Sequence, residues 1–266
     1  MSQIVSHSVV NLSGALIDFL FIVLAVAGCV ALHWFLQRFL HSDVLRRHND
    51  VAGYLFSAVG VLYAVMLGFT VVVVWQKYDG TVSNVESEVD AAADLYRSVD
   101  GYEPNTRAQI RGDLARYARI VVTQEWAAMA AAQPISWVAF RELDDAAHRI
   151  DVFSPRNWKE VAAQQAAIAD MQRLLDARRQ RVIHAAPAVP SVLWFALVFG
   201  AVAMVAFCYL FGVENHPAQL LMTAILVSLI GILFVVIAAF SNPFSGSVRI
   251  SPDGWHYFEL RMHLIR

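Results

Sequence analysis

Residues 51–74 are VAGYLFSAVGVLYAVMLGFTVVVV and contain no Asp, Glu, Lys or Arg. A helix that crosses the hydrocarbon core of a bilayer needs about 20 mainly apolar residues. Three further runs are as long and almost as free of charge, namely residues 14–36, 188–213 and 217–240. The sequence therefore predicts an all-α integral membrane protein with four transmembrane helices.

The composition excludes an ordinary soluble domain. Hydrophobic residues make up 58% of the chain, charged residues make up 16%, and the mean hydropathy is +0.51. A typical soluble domain is roughly half apolar and a quarter charged. The net charge of −2, with no block of basic residues, gives no indication of nucleic-acid binding.

Most charged residues lie between the second and third spans, which predicts a soluble helical insert. We expect four segments: 1–77 with the first pair of spans, 78–187 as the insert, 188–240 with the second pair, and 241–266 as a C-terminal tail. An even number of spans places both termini and the insert on one side. We expect that side to be cytoplasmic, because basic residues near the span ends are more numerous there. These residues are Lys77, Arg173, Arg178, Arg179, Arg181 and Arg249, against Arg38, Arg46 and Arg47 on the other side.

The insert has helical periodicity and no strand-like alternation of apolar residues. One helix should continue from the second span, because apolar residues keep a spacing of three and four: Val82, Val85, Val89, Ala92, Tyr96 and Val99. Asp79-Gly80 is a candidate hinge, although a helix that runs through it loses only about 1 kcal/mol at the glycine. A second helix should follow Pro104 with the apolar residues Ile110, Leu114, Tyr117 and Val121. The last should begin at Ser154-Pro155, since serine caps a helix and proline fits its first position, and should end near Ala185.

The chain has no familiar catalytic or cofactor-binding motif. Gly-rich phosphate loops, G-x-S-x-G, H-E-x-x-H and C-x-x-C are absent from the sequence. The cysteines, Cys29 and Cys208, both lie in predicted spans. We therefore expect no enzyme, no cofactor and no metal site. In the first span, the ordinary interpretation of His33 is a packed or hydrogen-bonded histidine, and that of Asp18 is an acid at the membrane interface.

Three acids of the insert, Glu86, Asp90 and Asp94, recur every four residues and share one helical face. One interpretation is a solvated face on which Asp94 pairs with Arg97. In a ring of identical helices, the same acids would form rings of negative charge that attract cations and repel anions. Both interpretations stay open.

The second span carries a stripe of Val61, Val65 and Phe69, which lipid or helix packing explains on spacing alone. However, the segment L-G-F followed by valines, an aromatic residue and Lys77 resembles the pore helix of bestrophins. Residues 242–244, N-P-F, resemble the bestrophin segment that follows the fourth span. Nearly the whole chain also resembles an uncharacterised bacterial family described as bestrophin-like, whose marks are 67–78, Glu88, 95–97, Glu125-Trp126 and 242–246 before Val248.

The resemblance implies a homo-oligomeric ion channel, a pentamer, in the bacterial inner membrane. Phe69, Val65 and Val61 match the hydrophobic neck, and Lys77 matches the basic residue after it. Its partners would be membrane lipids, other copies of the chain and inorganic ions. The acidic run that follows Asn242, Pro243 and Phe244 in animal bestrophins and helps to hold calcium is replaced here by 245–249, S-G-S-V-R. The match therefore does not extend to calcium binding.

The leading hypothesis is a bestrophin-like channel whose neck gates by dewetting. The sign of the ion is open, since the resemblance implies anions whereas rings of Asp90 and Asp94 would favour cations. The alternative is a non-conducting membrane scaffold or sensor that recruits a partner through the insert.

Overall fold

Helices make up almost all of the chain that the computed structural model describes, which is residues 8–10, 12–36, 48–213 and 215–264. The elements, in chain order, are β1 (Ser8–Val10), α1 (Leu12–Leu36), α2 (Asn49–Ser98), a 3₁₀ turn (Val99–Gly101), α3 (Pro104–Ile120), a π-helical turn (Val121–Glu125), α4 (Trp126–Ala130), α5 (Val138–Asp151), α6 (Trp158–His184), α7 (Ser191–Leu210), α8 (His216–Ser241), β2 (Val248–Ile250) and α9 (Asp253–Leu264). The two short strands pair in one sheet.

The predicted transmembrane fold is confirmed. Among the described residues, four helices are long and apolar enough to cross a membrane: α1, the α2 helix, α7 and α8. Helix α2 also continues without interruption through Gly80, as its periodicity predicts. The basic residues Arg38, Arg46 and Arg47 of the predicted first loop, and Glu214 of the predicted turn between the last two spans, lie outside the described residues.

The chain forms two compact units, each built from separate stretches of sequence. The span unit comprises Val10–Gln76 and Pro187–Ser241. The insert unit comprises Lys77–Ala186 and Asn242–Arg266, together with Met1–Val9. Helix α2 therefore contributes its first part to the span unit and its last part to the insert unit. The division into four segments stays a prediction.

The span unit has a core built on one stripe of α2. Tyr63, Leu67 and Val74 are buried against Leu197 of α7 and Ile237 of α8. The Tyr63 hydroxyl donates a hydrogen bond to the Leu197 carbonyl at 3.1 Å. Gly200 is required beneath the Tyr63 ring, because a Cβ at that position would lie 2.4 Å from a ring carbon. Close helix contact in this unit therefore depends on the absence of one side chain.

The core of the insert unit is fully shielded from solvent. Leu114, Tyr117, Leu143 and Leu174, from α3, α5 and α6, have no exposed surface. The C-terminal segment completes it: the buried Trp255 of α9 meets the Tyr117 ring edge-on, with 5.5 Å between centroids. Residues from both ends of the insert unit's sequence thus share one core.

Local structure in the insert departs from the sequence analysis in two places. The predicted start at Ser154-Pro155 is wrong, because α6 begins at Trp158 with Asn157 as its cap. The Asn157 carboxamide oxygen accepts the backbone N–H of Lys159 and of Glu160, each at 3.0 Å, and the Glu160 carboxylate accepts the N–H of Arg156 at 2.6 Å. The asparagine cap at Asn157, supported by the bond between Arg156 and Glu160, starts the helix in place of the Ser-Pro pair. Helix α5 was not predicted, and neither were β1 and β2.

Candidate functional site

The residues predicted for a pore neck share an exposed face of α2 within the span unit. Val61, Val65 and Phe69 are 64%, 52% and 70% exposed, respectively. The stripe that packs into the unit contains Tyr63, Leu67, Thr70 and Val74 instead. Helix α2 therefore packs on its own chain through one stripe, and the described residues leave the neck stripe uncovered.

The three acids predicted for a vestibule lie along the outer face of α2 within the insert unit, but their surroundings differ. Asp94 contacts both Arg97 and Arg173; the Arg173 Nη1 is 3.4 Å from its carboxylate. Asp90 is exposed, and among the described residues no basic side chain lies within ion-pair distance of it. Partial burial, together with the negative charges of Asp94 and Glu86, raises the pKa of Asp90. Asp90 thus lacks the direct arginine contacts of Asp94, although the charges of Arg97 and Arg261 act on it.

Lys77 and the segment 242–244 have local structural contacts in the insert unit. The Lys77 ammonium group donates a hydrogen bond to the Ala186 carbonyl at 2.6 Å. The Asn242 carbonyl accepts the Gly246 N–H at 2.9 Å, and the Pro243 carbonyl accepts the Ile250 N–H at 2.9 Å. Phe244 is buried, and its ring meets that of Trp126 edge-on at 5.3 Å. These bonds shape a turn that places Phe244 in the core.

A buried cluster of charges, which the sequence analysis did not identify, occupies the centre of the insert unit. The carboxylates of Glu88 on α2 and Glu125 on the π turn face the guanidinium groups of Arg178 and Arg181 on α6. Arg181 contacts Glu88 at 2.5 Å and Glu125 at 2.7 Å, and Arg178 binds both oxygens of Glu125 at 2.7 and 2.8 Å. The Tyr117 hydroxyl donates to Glu88. We call these five residues the charge cluster.

The π turn explains how Glu125 reaches this cluster. In an unbroken α-helix, Tyr117 and Glu125 would be separated by about 800° of rotation, about 80° out of register. A π turn takes up one extra residue, which reduces the rotation to about 700°, within about 20° of two full turns. Glu125 and Tyr117 therefore face the same arginines, and the Arg178 guanidinium lies 5.7 Å from the centre of the Tyr117 ring.

Electrostatics within the charge cluster are balanced, with two carboxylates opposite two guanidinium groups. Burial alone would raise the pKa of Glu125, but hydrogen bonds from Arg178 and the charges of Arg181 and Arg178 hold it below its ordinary value. Burial and the nearby Glu88 charge raise the pKa of Tyr117 well above its ordinary range. Because each carboxylate is paired with a guanidinium group, we interpret the charge cluster as a structural element of the insert core.

The charge cluster also bears on the predicted orientation. Arg178 and Arg181 belong to the basic residues that indicate a cytoplasmic insert, yet both are buried and paired with carboxylates. They cannot contact lipid head groups directly. Arg249, which is exposed, remains accessible on that side, and the orientation stays a prediction.

Comparison with known proteins gives one family and one fold. A family model described as the bestrophin-like domain matches residues 23–255. A bacterial bestrophin homologue from Klebsiella pneumoniae has the same fold. One mutant structure has a TM-score of 0.65 at 15% identity and covers 93% of this chain and 98% of its own. Another has a TM-score of 0.67 at 13% identity and covers 91% of this chain and 97% of its own. A third structure of that protein gives a TM-score of 0.63 at 14% identity, covering 93% of this chain and 97% of its own. No curated protein sequence shows significant similarity to the chain.

Proposed function

Because this chain belongs to the bestrophin-like family, we propose that it assembles into a homo-oligomeric ion channel, a pentamer by resemblance, in the bacterial inner membrane. Copies of α2 surround the pore in this proposal. Val61, Val65 and Phe69 form an apolar constriction that blocks ions when it is dry and passes them when it is wet.

The exposed stripe of α2 is the observation that supports the proposal best. Helix α2 packs on its own chain through one stripe and leaves Phe69, on another stripe, 70% exposed. Lipid could cover that face in a monomer. In a ring of subunits the same face turns toward the axis, which gives each subunit an identical apolar contribution to the constriction.

The insert's acids bear on which ions such a channel prefers. Asp94 is partly neutralised by Arg97 and Arg173, so Asp90 would contribute more negative charge to a ring than Asp94 does. Family resemblance suggests anions, and a ring of Asp90 carboxylates favours cations. We propose a channel of moderate selectivity in which Asp90 opposes anion passage.

Two measurements on the purified, detergent-solubilised protein test the proposal. The mass of the solubilised particle should be a multiple of the 29.6 kDa chain, five-fold by resemblance. Reconstitution into planar bilayers should give discrete current steps. A monomeric mass would exclude a central pore between subunits. An oligomer that carries no current at several voltages, at both high and low calcium, would contradict conduction.

The alternative, a non-conducting scaffold or sensor, predicts an oligomer that carries no current in the bilayer. It also predicts that the soluble insert, rather than the neck stripe, carries the substitutions that abolish function in cells. An enzyme ranks third, because the sequence contains no familiar catalytic motif.

A further inference from the structure

His33, near the C-terminal end of α1, lies in the interior of the span unit. Its side chain is only 1% exposed. Nδ1 lies 3.0 Å from Oγ1 of Thr223 on α8, and the ring meets that of Tyr209 on α7 edge-on, with 4.8 Å between centroids. Nε2 has no hydrogen-bond partner among the described residues. One ring nitrogen is therefore bonded, and the other is buried without a bond.

The hydrogen bonds around Thr223 assign the tautomer of this histidine. The Thr223 hydroxyl has a single proton, which it donates to the Gln219 carbonyl 3.0 Å away. Its oxygen must therefore accept from His33, so the proton of the neutral ring is on Nδ1. Nε2 is left with a lone pair directed into the protein interior, where it can accept a proton.

The titratable groups recorded around this ring are His216 on α8 and Tyr209 on α7, and Tyr209 in turn interacts with Cys29 on α1 and Cys208 on α7. None of these groups is a carboxylate. Asp18, the acid of α1, is about 22 Å away along the helix at about 1.5 Å per residue. The amide of Gln219 also faces the ring: its N–H groups donate to the carbonyls of Phe211 and Cys208 at 2.5 and 3.4 Å, and its oxygen can accept from a protonated ring but, being part of a neutral amide, supplies no counter-charge.

We infer that Nε2 of His33 is a proton-binding site within the span unit, and that its protonation loosens the contact between α1 and α8. A second proton on the ring places a positive charge where the described groups supply no counter-charge, and burying an unpaired charge is costly. Histidine is the side chain whose ordinary charge change falls between about pH 5 and pH 8. Acidification should therefore destabilise this unit, whether or not the protein conducts ions.

Thermal unfolding in detergent at about pH 8 and about pH 5.5 tests the inference in the full-length chain. His33→Asn is the informative variant, because its amide N–H replaces Nδ1–H toward Thr223 while the second ring nitrogen is removed. We expect acidification to lower Tm in the wild type and to lower it by less than about half as much in His33→Asn. His216→Gln changes an exposed histidine on α8 and should keep the full wild-type response.

An equal loss of Tm in the wild type and in His33→Asn would overturn the inference, and so would a wild type whose Tm does not respond to acid. If His33→Asn does not fold, Thr223→Val provides the second test. It retains His33 but removes the acceptor of its Nδ1–H, so the midpoint of the acid response should move relative to the wild type. An unchanged midpoint would show that this ring does not bind the proton.

Discussion

At the scale of single residues, exposure separates the side chains that the chain uses internally from those it leaves for another partner. Leu67 is 3% exposed, whereas Phe69, two positions later on the same helix, is 70% exposed. Asp94 and Asp90 differ in a similar way, since only Asp94 contacts arginines. The uncovered members of these pairs are the ones on which the proposed channel depends.

Phe69→Ala should increase leak current or open probability. Removing a large apolar ring widens the constriction and lowers the barrier to wetting. Stability should change little, because the ring is 70% exposed in the chain. Phe199→Ala, at a phenylalanine of α7 that is 66% exposed, is the matched control and should leave single-channel currents unaltered. Equal currents in wild type and Phe69→Ala would exclude this residue from the pore.

Asp90→Asn should shift the reversal potential under a salt gradient away from cations by more than Asp94→Asn does, because Asp94 is already paired. The shift should be largest near 0.01 M salt, where the Debye length is about 30 Å. Since the pKa of Asp90 is raised, mild acidification should neutralise it before ordinary aspartates and mimic the substitution. Asp144→Asn, at an exposed residue of α5, is the control. Identical potentials in Asp90→Asn and wild type would leave the acids as surface charge.

At the scale of helices and turns, the sequence predicts those structural features that depend on residues close together along the chain. The span helices follow from uncharged runs such as 51–74, and α2 passes Gly80 because its apolar spacing persists on both sides. The charge cluster depends on residues far apart, since Glu88 and Arg181 are separated by 93 positions. Glu125 also needs the π turn to face the same arginines as Tyr117, and no local sequence pattern predicts a π turn. Glu88 and Glu125 could be identified as family marks, but their partners could not.

Arg181→Met should destabilise the insert unit strongly. It leaves Glu88 and Glu125 buried and short of a partner, and breaking a buried ion pair typically costs about 3–5 kcal/mol. Arg179→Met, two positions earlier in α6, removes an exposed pair with Asp176, for which we expect about 0–1 kcal/mol. Denaturant unfolding followed by tryptophan fluorescence compares the two. Equal effects would mean that the charge cluster contributes no more than a surface pair.

Gly200→Ala should destabilise the span unit, because the new methyl group would lie 2.4 Å from the Tyr63 ring. Overpacking of this kind typically costs about 1–3 kcal/mol. Gly28→Ala in α1 is the matched control, since no atom lies within 4 Å of the added Cβ. It should be neutral or stabilising by up to about 1 kcal/mol. Thermal unfolding in detergent should rank the two variants in this order.

At the scale of the whole molecule, each compact unit is assembled from stretches that are distant in sequence. Pro187–Ser241 joins Val10–Gln76 in the span unit, and Asn242–Arg266 joins the insert in the other. The four spans predicted from the sequence would place the insert and both termini on one side of the membrane, and the prediction for that side is the cytoplasm.

Labelling at Asn105 tests that orientation. Asn105→Cys, in a background that lacks Cys29 and Cys208, places a thiol at an exposed position at the start of α3. An impermeant maleimide should fail to label it in intact cells and should label it after the cells are lysed. Labelling of intact cells would place the insert outside the cytoplasm.

The interleaving of the two units also has a consequence for biosynthesis. Glu88 leaves the ribosome 93 residues ahead of Arg181, a delay of roughly 5–20 s at ordinary elongation rates. During that interval the Glu88 carboxylate, which is buried in the folded insert unit, has no Arg181 to pair with and contacts only solvent or chaperones. Trp255 emerges later still. The insert unit cannot complete its native contacts on a nascent chain that stops short of α9, and the span unit cannot do so on one that stops short of α8. A product truncated before α9 lacks Trp255 and therefore exposes part of the insert core, which quality control in the cell can recognise.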